Sequence, residues 1–216
     1  MSGVVARAAV IVFVCALATP ARADDACAHD ADRLRAHLTD AARATRRWNV
    51  GWGLGFAGAA VGQGALVAAE VNPFGPYDAR MSDTLYVGAA KATIALATRI
   101  VMPLGVELPP AQADRCAELV ALRAELAVIA RKERRTFWLT HLGGAALNLA
   151  GAGLLWSRHS FETGAVSFAI SYPVGVLSAY TLPRASWRRW RAESASWTVA
   201  VVPGRDRTTV GIAGVF

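Results

Sequence analysis

Four polar side chains lie within stretches that are otherwise rich in apolar residues, namely Gln63, Lys91, His141 and Asn148. Polar groups are costly at membrane depth and by default mark a pathway or relay for ions or protons. The same groups can also form an internal hydrogen-bond network that joins transmembrane helices. His141 lies only six residues from Arg135, close to where a membrane interface would be. We therefore favour the interpretation that the four residues form a candidate intramembrane polar network.

Other residue patterns give little support for catalysis. His29, Asp30, Asp32 and His37 form a loose cluster whose spacing matches no standard metal site, and a solvated helix surface accounts for it. The chain contains no Gly-x-Ser-x-Gly elbow, His-Glu-x-x-His pair or phosphate-binding loop. The sequence therefore predicts a protein that is not an enzyme and that has no cofactor and no metal site.

The N-terminus has the features of a secretory signal. Arg7 precedes an apolar run over residues 8–18, and the small-x-small motif Ala21-Arg22-Ala23 follows it. This order of regions predicts a signal peptide over residues 1–23, with an uncleaved anchor as the alternative. Cleavage after Ala23 removes Cys15 and leaves two cysteines.

Those two cysteines, Cys27 and Cys116, are expected to form a disulfide, because an exported chain enters an oxidising compartment. The alternative is a pair of buried thiols. A bridge between them closes a loop of about 90 residues, which contributes roughly 4–5 kcal/mol in the chain-entropy model. The same positions lie near the starts of two related segments of the chain.

An internal repeat relates these segments. Residues 34–66 recur as residues 122–154, with 12 of the 33 aligned positions identical. A self-match at a fixed offset predicts a duplicated architecture. We define repeat one as residues 24–108 and repeat two as residues 109–195.

Each repeat begins with a predicted amphipathic helix, over residues 25–47 and 111–135. Apolar residues follow a spacing of three, four and three in both segments, which places them on one helical stripe. We expect the two stripes to pack against each other near the disulfide. Residues on the other faces, Glu118 among them, are expected to be solvated. The stripes consist of Ala31, Leu34, Leu38 and Ala41 in the first helix and Leu119, Leu122, Leu126 and Ile129 in the second.

Hydrophobic segments follow each amphipathic helix. Residues 48–69 and 136–157 carry no charge over 22 positions each, and residues 163–183 form a third uncharged stretch. About 20 apolar residues span a bilayer, so all three qualify by length. The Gly51-x-x-x-Gly55 and Gly58-x-x-x-Gly62 patterns predict close helix approach inside a membrane.

A fourth segment, 84–104, is harder to interpret because Lys91 and Arg99 oppose its insertion. Thr84, Lys91 and Thr98 recur every seven residues and so share one helical face. A polar stripe of this kind faces partner helices while the apolar side faces lipid. Each repeat is therefore predicted to be an amphipathic helix followed by a hydrophobic helical hairpin.

The C-terminal part differs from the repeats. Trp187, Arg188, Trp190 and Arg191 lie on a short basic helix that is predicted to be an interfacial anchor. The alternative is a cap that packs on the bundle through its two tryptophans. Residues 196–216 are predicted to form a β-hairpin tail around the turn signal at residues 203–206.

The predicted fold is therefore all-α, a duplicated unit of amphipathic helix plus hydrophobic hairpin with about six helices and a short C-terminal β-hairpin. The formal net charge of +7 does not indicate nucleic-acid binding, because no recognition motif accompanies it. The expected partners are the lipid bilayer and an envelope protein. With four spans after a cleaved signal, both ends face the periplasm, which agrees with a disulfide but conflicts with the positive-inside rule.

These features predict an exported, membrane-embedded helical-repeat protein of the bacterial envelope with a structural or accessory role. Two alternatives stay open at this point. One is a small transporter or proton or ion relay built from duplicated hairpins. The other is a soluble periplasmic binding module with an apolar interior.

Overall fold

The computed structural model describes residues 20–73, 75–194, 197–203 and 208–214, and within them the chain is mostly helical. The predicted signal peptide therefore falls largely outside the described residues. Two strands, β1 and β2, pair antiparallel near the C-terminus. The helices and strands of the described residues are α1 (Pro20–Ala68), α2 (Ala79–Val101), α3 (Arg115–Arg158), α4 (Phe161–Tyr180), α5 (Ala185–Ser194), β1 (Trp197–Pro203) and β2 (Thr208–Gly214).

Helices α1 and α3 differ from the sequence prediction in their length. Each predicted amphipathic helix is continuous with the hydrophobic segment that follows it, so α1 has 49 residues and α3 has 44. The junctions at residues 46–50 and 134–138 contain neither proline nor glycine, so nothing at the charge boundary ends the helix. The described residues therefore contain two long helical hairpins, α1–α2 and α3–α4, followed by the short helix α5.

The two hairpins turn at the same end of the molecule. Asp78 caps α2 by accepting a hydrogen bond from the Met81 backbone at 2.7 Å. The second turn is only two residues long, and its Ser160 caps α4. Asp83 of α2 forms an ion pair with Arg158, whose Nε lies 3.0 Å from its carboxylate, and His159 Nε2 lies 2.8 Å from the same carboxylate. These contacts link the tips of the hairpins.

At the other end, the charged parts of α1 and α3 form a headpiece together with α5 and the linker 102–114. The predicted stripes do pack against each other, in a core that also contacts Val106 and Trp190. Cys27 and Cys116 are joined by a disulfide with their Cα atoms 5.0 Å apart. The buried core consists of Ala31, Leu34, Leu38, Leu119, Leu122, Leu126 and Ile129.

Glu118 is not solvated, contrary to the expectation from helical periodicity. Its side chain is fully buried, accepts a hydrogen bond from Arg35 Nε at 2.7 Å, and also pairs with Arg115. The hydrogen bond from Arg35 is the main reason that the pKa of Glu118 lies below its ordinary value, and the charge of Arg115 adds to it. The helical periodicity places Glu118 on one face of α3, but it does not show that the linker 102–114 and α1 bury that face.

The remaining helical residues, 48–68, 79–101, 136–158 and 161–180, form what we call the apolar bundle. Two of the helices, α1 and α2, are long and apolar enough to cross a membrane, and counting α4 with α5 as one broken span, bent by 52°, makes three. Helix α2 is thus among them in spite of Lys91 and Arg99. Helix α3 taken alone is not, because the polar His141 and Asn148 lower the hydropathy of its apolar half.

Glycines produce close helix approach at different positions from those predicted. A Cβ added at Gly51, Gly55, Gly58 or Gly62 would meet no atom within 4 Å, so this face of α1 contacts nothing in the described residues. One close approach is between α3 and α4, where a Cβ on Gly164 would lie 2.5 Å from the Ala152 carbonyl oxygen. Others are at Gly151 of α3, which faces α2, and at Gly88 of α2, which faces the Gln63 side chain of α1.

Candidate functional site

A groove of about 850 Å³ runs between the two hairpins of the apolar bundle. Its walls come from α1, α2, α3 and α4. Along α2 it extends from Thr84 to Met102, a rise of about 27 Å at 1.5 Å per residue. This length approaches the roughly 30 Å of a bilayer's hydrocarbon core.

The polar stripe of α2 faces this groove. Thr84, Lys91 and Thr98 all line it, as their seven-residue spacing requires of residues on one helical face. Hydroxyl groups of the other hairpin face them from across the groove. These groups belong to Thr136, Thr140, Ser167, Ser171 and Ser178.

Lys91 is the centre of a cluster that joins three helices. Its Nζ donates to Ser171 Oγ of α4 at 2.8 Å and to Asn148 Oδ1 of α3 at 3.3 Å. Each acceptor is itself held, because Ser171 donates to the Ser167 carbonyl oxygen and Asn148 donates to the Gly144 carbonyl oxygen. The cluster lies near the middle of α2, so that Lys91 is about 18 Å from the N-terminal end of that helix and about 15 Å from its C-terminal end.

Gly151 of α3 provides the space through which the Lys91 stem reaches this cluster. A Cβ at this position would lie 3.1 Å from Lys91 Cδ and 2.9 Å from Val87 Cγ1. Both distances are too short for an unstrained contact between carbon atoms. The absence of a side chain at Gly151 is therefore what allows α2 and α3 to approach at the depth of Lys91.

A second cation, Arg99, lines the groove about 12 Å closer to the headpiece. Its guanidinium donates to Ser178 Oγ at 2.9 Å and lies 4.0 Å from the centroid of the Trp48 ring. Trp48 in turn donates from Nε1 to the Ser178 carbonyl oxygen at 3.2 Å. Arg99 therefore lies where the apolar bundle meets the headpiece.

The electrostatics of the groove are one-sided. No aspartate or glutamate is among the described residues that line it, and Lys91 and Arg99 donate only to neutral oxygen atoms. The ion pairs of the described residues lie in the headpiece and near the hairpin tips. Two cations next to apolar walls form an arrangement that attracts an anion.

The structure brings together only part of the predicted polar network. Lys91 and Asn148 are in contact, whereas Gln63 lines the same groove but donates to the Ala59 carbonyl oxygen of its own helix. His141 points elsewhere, with its ring stacked on Phe137 at 6.0 Å and 5.9 Å from that of Tyr180.

Sequence reasoning missed Ser171 and the role of Gly151. A serine in an apolar run is too common to single out, and a glycine's contact depends on which helix packs against it. The residues next to Ser171 and Gly151 in the sequence do not indicate which helix each position contacts.

The short helix α5 packs on the bundle, which supports the cap over the interfacial anchor as the role of its tryptophans. Trp187 contacts the cluster around Trp48 and Phe137, and Trp190 contacts the headpiece core, while Arg188 and Arg191 are exposed. The buried carboxylate of Glu133 accepts a hydrogen bond from the Trp187 backbone at 2.7 Å. Burial raises the pKa of Glu133.

The described residues add no further metal-ligating side chain to the cluster of His29, Asp30, Asp32 and His37. Among the residues that the structure describes, no group of three or more histidine, cysteine, aspartate or glutamate side chains could hold a metal ion. No protein-family model matches the chain, and no curated protein or solved structure is significantly similar to it.

Proposed function

We propose that this chain is an exported accessory protein of the bacterial envelope, embedded in the membrane by two helical hairpins that hold a disulfide-linked headpiece outside the bilayer. The two hairpins correspond to the two repeats, so a duplication of one helical unit accounts for both. The groove between them is the place where the protein can bind a further molecule within the membrane.

The observation that carries this proposal is the opposite pattern of burial in the two parts of the molecule. In the headpiece, large apolar residues such as Leu122 are 0% exposed. In the apolar bundle, Leu54, Val61 and Ile170 are 69%, 72% and 71% exposed. Large contiguous apolar surfaces are rare on soluble monomers, whereas lipid-facing helices require them.

Aromatic residues lie at both ends of the exposed apolar surface. Trp138 and Tyr180 are exposed near the headpiece, and Trp156 and Phe161 are exposed near the hairpin tips. Along α3, Trp138 and Trp156 are separated by about 27 Å of helix rise. Tryptophan and tyrosine are enriched at the two interfaces of a bilayer, and this spacing fits its hydrocarbon thickness.

The disulfide supports a periplasmic headpiece, because such bonds persist in oxidising compartments. This orientation places exposed arginines on the external side, against the usual charge bias. At that position, next to the aromatic residues, they can contact anionic lipid headgroups. These arginines include Arg46, Arg47, Arg134 and Arg135.

Two measurements test the embedding and the orientation. Membranes washed with alkaline carbonate should retain the protein, and its release into the wash would support the soluble alternative. A reporter fused after residue 75 should be cytoplasmic, and one fused after residue 194 should be periplasmic. Reporters with the opposite locations would invert the proposed orientation.

A transporter or relay is the second candidate, because the polar stripe of Thr84, Lys91 and Thr98 extends along most of the groove. Vesicles that contain the protein should then show a flux of anions or protons that decreases in the Lys91→Ala variant. His141→Ala serves as the control, since His141 is not among the residues that line the groove. Absence of flux in the wild-type protein would exclude this candidate.

A further inference from the structure

We infer that the groove binds a single-chain anionic amphiphile, such as a long-chain fatty acid, with its carboxylate at Lys91 and its chain along the apolar wall. The inference rests on the proposed membrane embedding and adds the chemical class of the ligand. Three observations support it, namely the charge of the site, the exposure of its walls and its depth.

The first observation is that Lys91 lacks a charged partner among the described residues. An ammonium group has three N–H donors, and the structure gives Lys91 two hydrogen bonds, both to neutral oxygens of Asn148 and Ser171. A charge at membrane depth is stabilised when it is paired. A carboxylate at this position would take the third N–H and neutralise the charge.

The second observation is that the groove opens to the side. Its apolar wall includes Ile94, Leu139, Ile170 and Val174, whose side chains are between 45% and 71% exposed. In a bilayer these side chains contact hydrocarbon. A small hydrated anion would have to lose its water to enter from there, whereas an amphiphile is already dissolved in the lipid.

The third observation is the depth of Lys91, which is about 15–18 Å from the ends of α2. The headgroup of a two-chain phospholipid remains at the interface, outside the hydrocarbon core. A carboxylic acid can reach this depth in its neutral form, because it then carries no charge through the hydrocarbon, and its proton leaves to the aqueous phase as the carboxylate pairs with the Lys91 ammonium. The groove volume of about 850 Å³ also lies within the range of small-molecule sites.

Asn148 and Ser171 act as positioning residues in this site. Their hydrogen bonds to the Gly144 and Ser167 carbonyl oxygens fix the two acceptors that hold Lys91 Nζ. The ammonium is thus held on the groove wall before any ligand arrives. Such preorganisation reduces the entropy that binding would otherwise cost.

The first test measures binding of radiolabelled palmitate to the full chain in phosphatidylcholine nanodiscs, with empty nanodiscs as the baseline. Lys91 and Lys132 are the two lysines of the sequence, and Lys132 is exposed in the headpiece. Lys91→Met should weaken saturable binding about tenfold or more, since it removes a hydrogen bond to a charged group. Lys132→Met should bind as the wild type does.

Competition tests the ligand class. Unlabelled palmitate should displace the label, whereas hexadecanol, which has the same chain without the charge, and inorganic phosphate should not. Equal displacement by hexadecanol would overturn the role of Lys91 in binding the carboxylate. Equal displacement by phosphate would overturn the role of the ligand's acyl chain.

A second measurement uses the unmodified protein, in case Lys91→Met fails to fold. A membrane-permeant carbodiimide couples a bound carboxylate to an adjacent amine, and mass spectrometry then locates the palmitoyl amide. The amide should form mainly on Lys91, and coupling mainly on Lys132 would contradict the proposal. Failure of the protein to co-purify with nanodiscs would refute the embedding, whereas co-purification without palmitate binding would refute only this inference.

Discussion

At the scale of single residues, the two buried glutamates of the headpiece respond to their surroundings in opposite ways. Burial raises the pKa of Glu133, so the folded state binds its proton more tightly than the unfolded chain does. This tighter proton binding stabilises the folded state when the pH is below the pKa of Glu133 in the unfolded chain. The stabilisation is lost as the pH rises through the pKa of Glu133 in the folded state. At neutral pH a charge on Glu133 therefore destabilises the fold.

We predict that Glu133→Gln raises the free energy of unfolding at pH 7 by an amount on the order of 1 kcal/mol. The amide oxygen of glutamine can still accept the hydrogen bond from the Trp187 backbone, but no buried charge remains. Urea unfolding in detergent micelles between pH 4 and 8, with the exposed Glu107→Gln as control, would show the gain shrinking toward low pH. Lower stability at pH 7 would instead indicate that the dipole of α5 favours the charge.

Glu118 should behave with the opposite sign. The hydrogen bond from Arg35 lowers its pKa, so its stabilising effect is present above the unfolded pKa and disappears as the pH falls through the folded pKa. Glu118→Gln should therefore reduce the stability of the headpiece at pH 7, and the difference from the wild type should shrink in acid. The same unfolding series measures it, and a difference that is independent of pH would contradict an electrostatic origin.

These residues also show where sequence reasoning fails at this scale. The seven-residue spacing of Thr84, Lys91 and Thr98 was enough to predict a shared polar face, because the period depends only on the helix. The burial of Glu118 was not predictable, because it depends on Arg35 and on the linker that closes over it. Long-range partners of this kind leave no periodic pattern in the chain.

At the scale of helices, isolated glycines determine how α3 and α4 pack. We predict that Gly164→Ala destabilises the apolar bundle by about 1–3 kcal/mol, because the new Cβ would lie 2.5 Å from the backbone oxygen of Ala152. Gly153→Ala is the matched control, since a Cβ there meets no atom within 4 Å. It should be neutral or stabilising by up to about 1 kcal/mol through helix propensity. Unfolding in mixed micelles measures both variants, and equal effects would argue against close packing at Gly164.

The glycine patterns of α1 show the limits of a motif at this scale. The spacing of Gly51 and Gly55 predicted a helix contact, yet the structure leaves that face open in the described residues. The contacts shorter than 3 Å occur instead at Gly88 of the first hairpin, which faces the Gln63 side chain, and at Gly151 and Gly164 of the second hairpin. Spacing identifies a face that permits close approach, but the connection between helices decides which face is used.

At the scale of the whole molecule, the position of the charge boundary is what the sequence predicted best. The arginine pairs at residues 46–47 and 134–135 mark where exposed apolar residues replace a buried core, although both helices continue across it. Composition distinguishes the headpiece from the apolar bundle, because the charge and apolarity of each part are averaged over many residues. Within the described residues, the predicted division of each long helix at its charge boundary was wrong, because a change in polarity does not interrupt the hydrogen bonds of a helix.

The disulfide joins the two hairpins at the end farthest from their linked tips, and its loss should affect only one part of the molecule. The cysteines are separated by 89 residues, and a loop of this size contributes about 4–5 kcal/mol in the chain-entropy model. We predict that reduction, or Cys116→Ser, lowers the stability of the headpiece by about this amount and leaves the apolar bundle in place. In the proposed membrane setting, lipid contacts and the contacts of Asp83 with Arg158 and His159 hold the bundle. Hydrogen–deuterium exchange should therefore increase in residues 115–135 but not in residues 136–158, and reductant should have no further effect on Cys116→Ser. An equal increase in both ranges would show that the headpiece and the bundle unfold as one unit, which would contradict the division of the molecule into two parts.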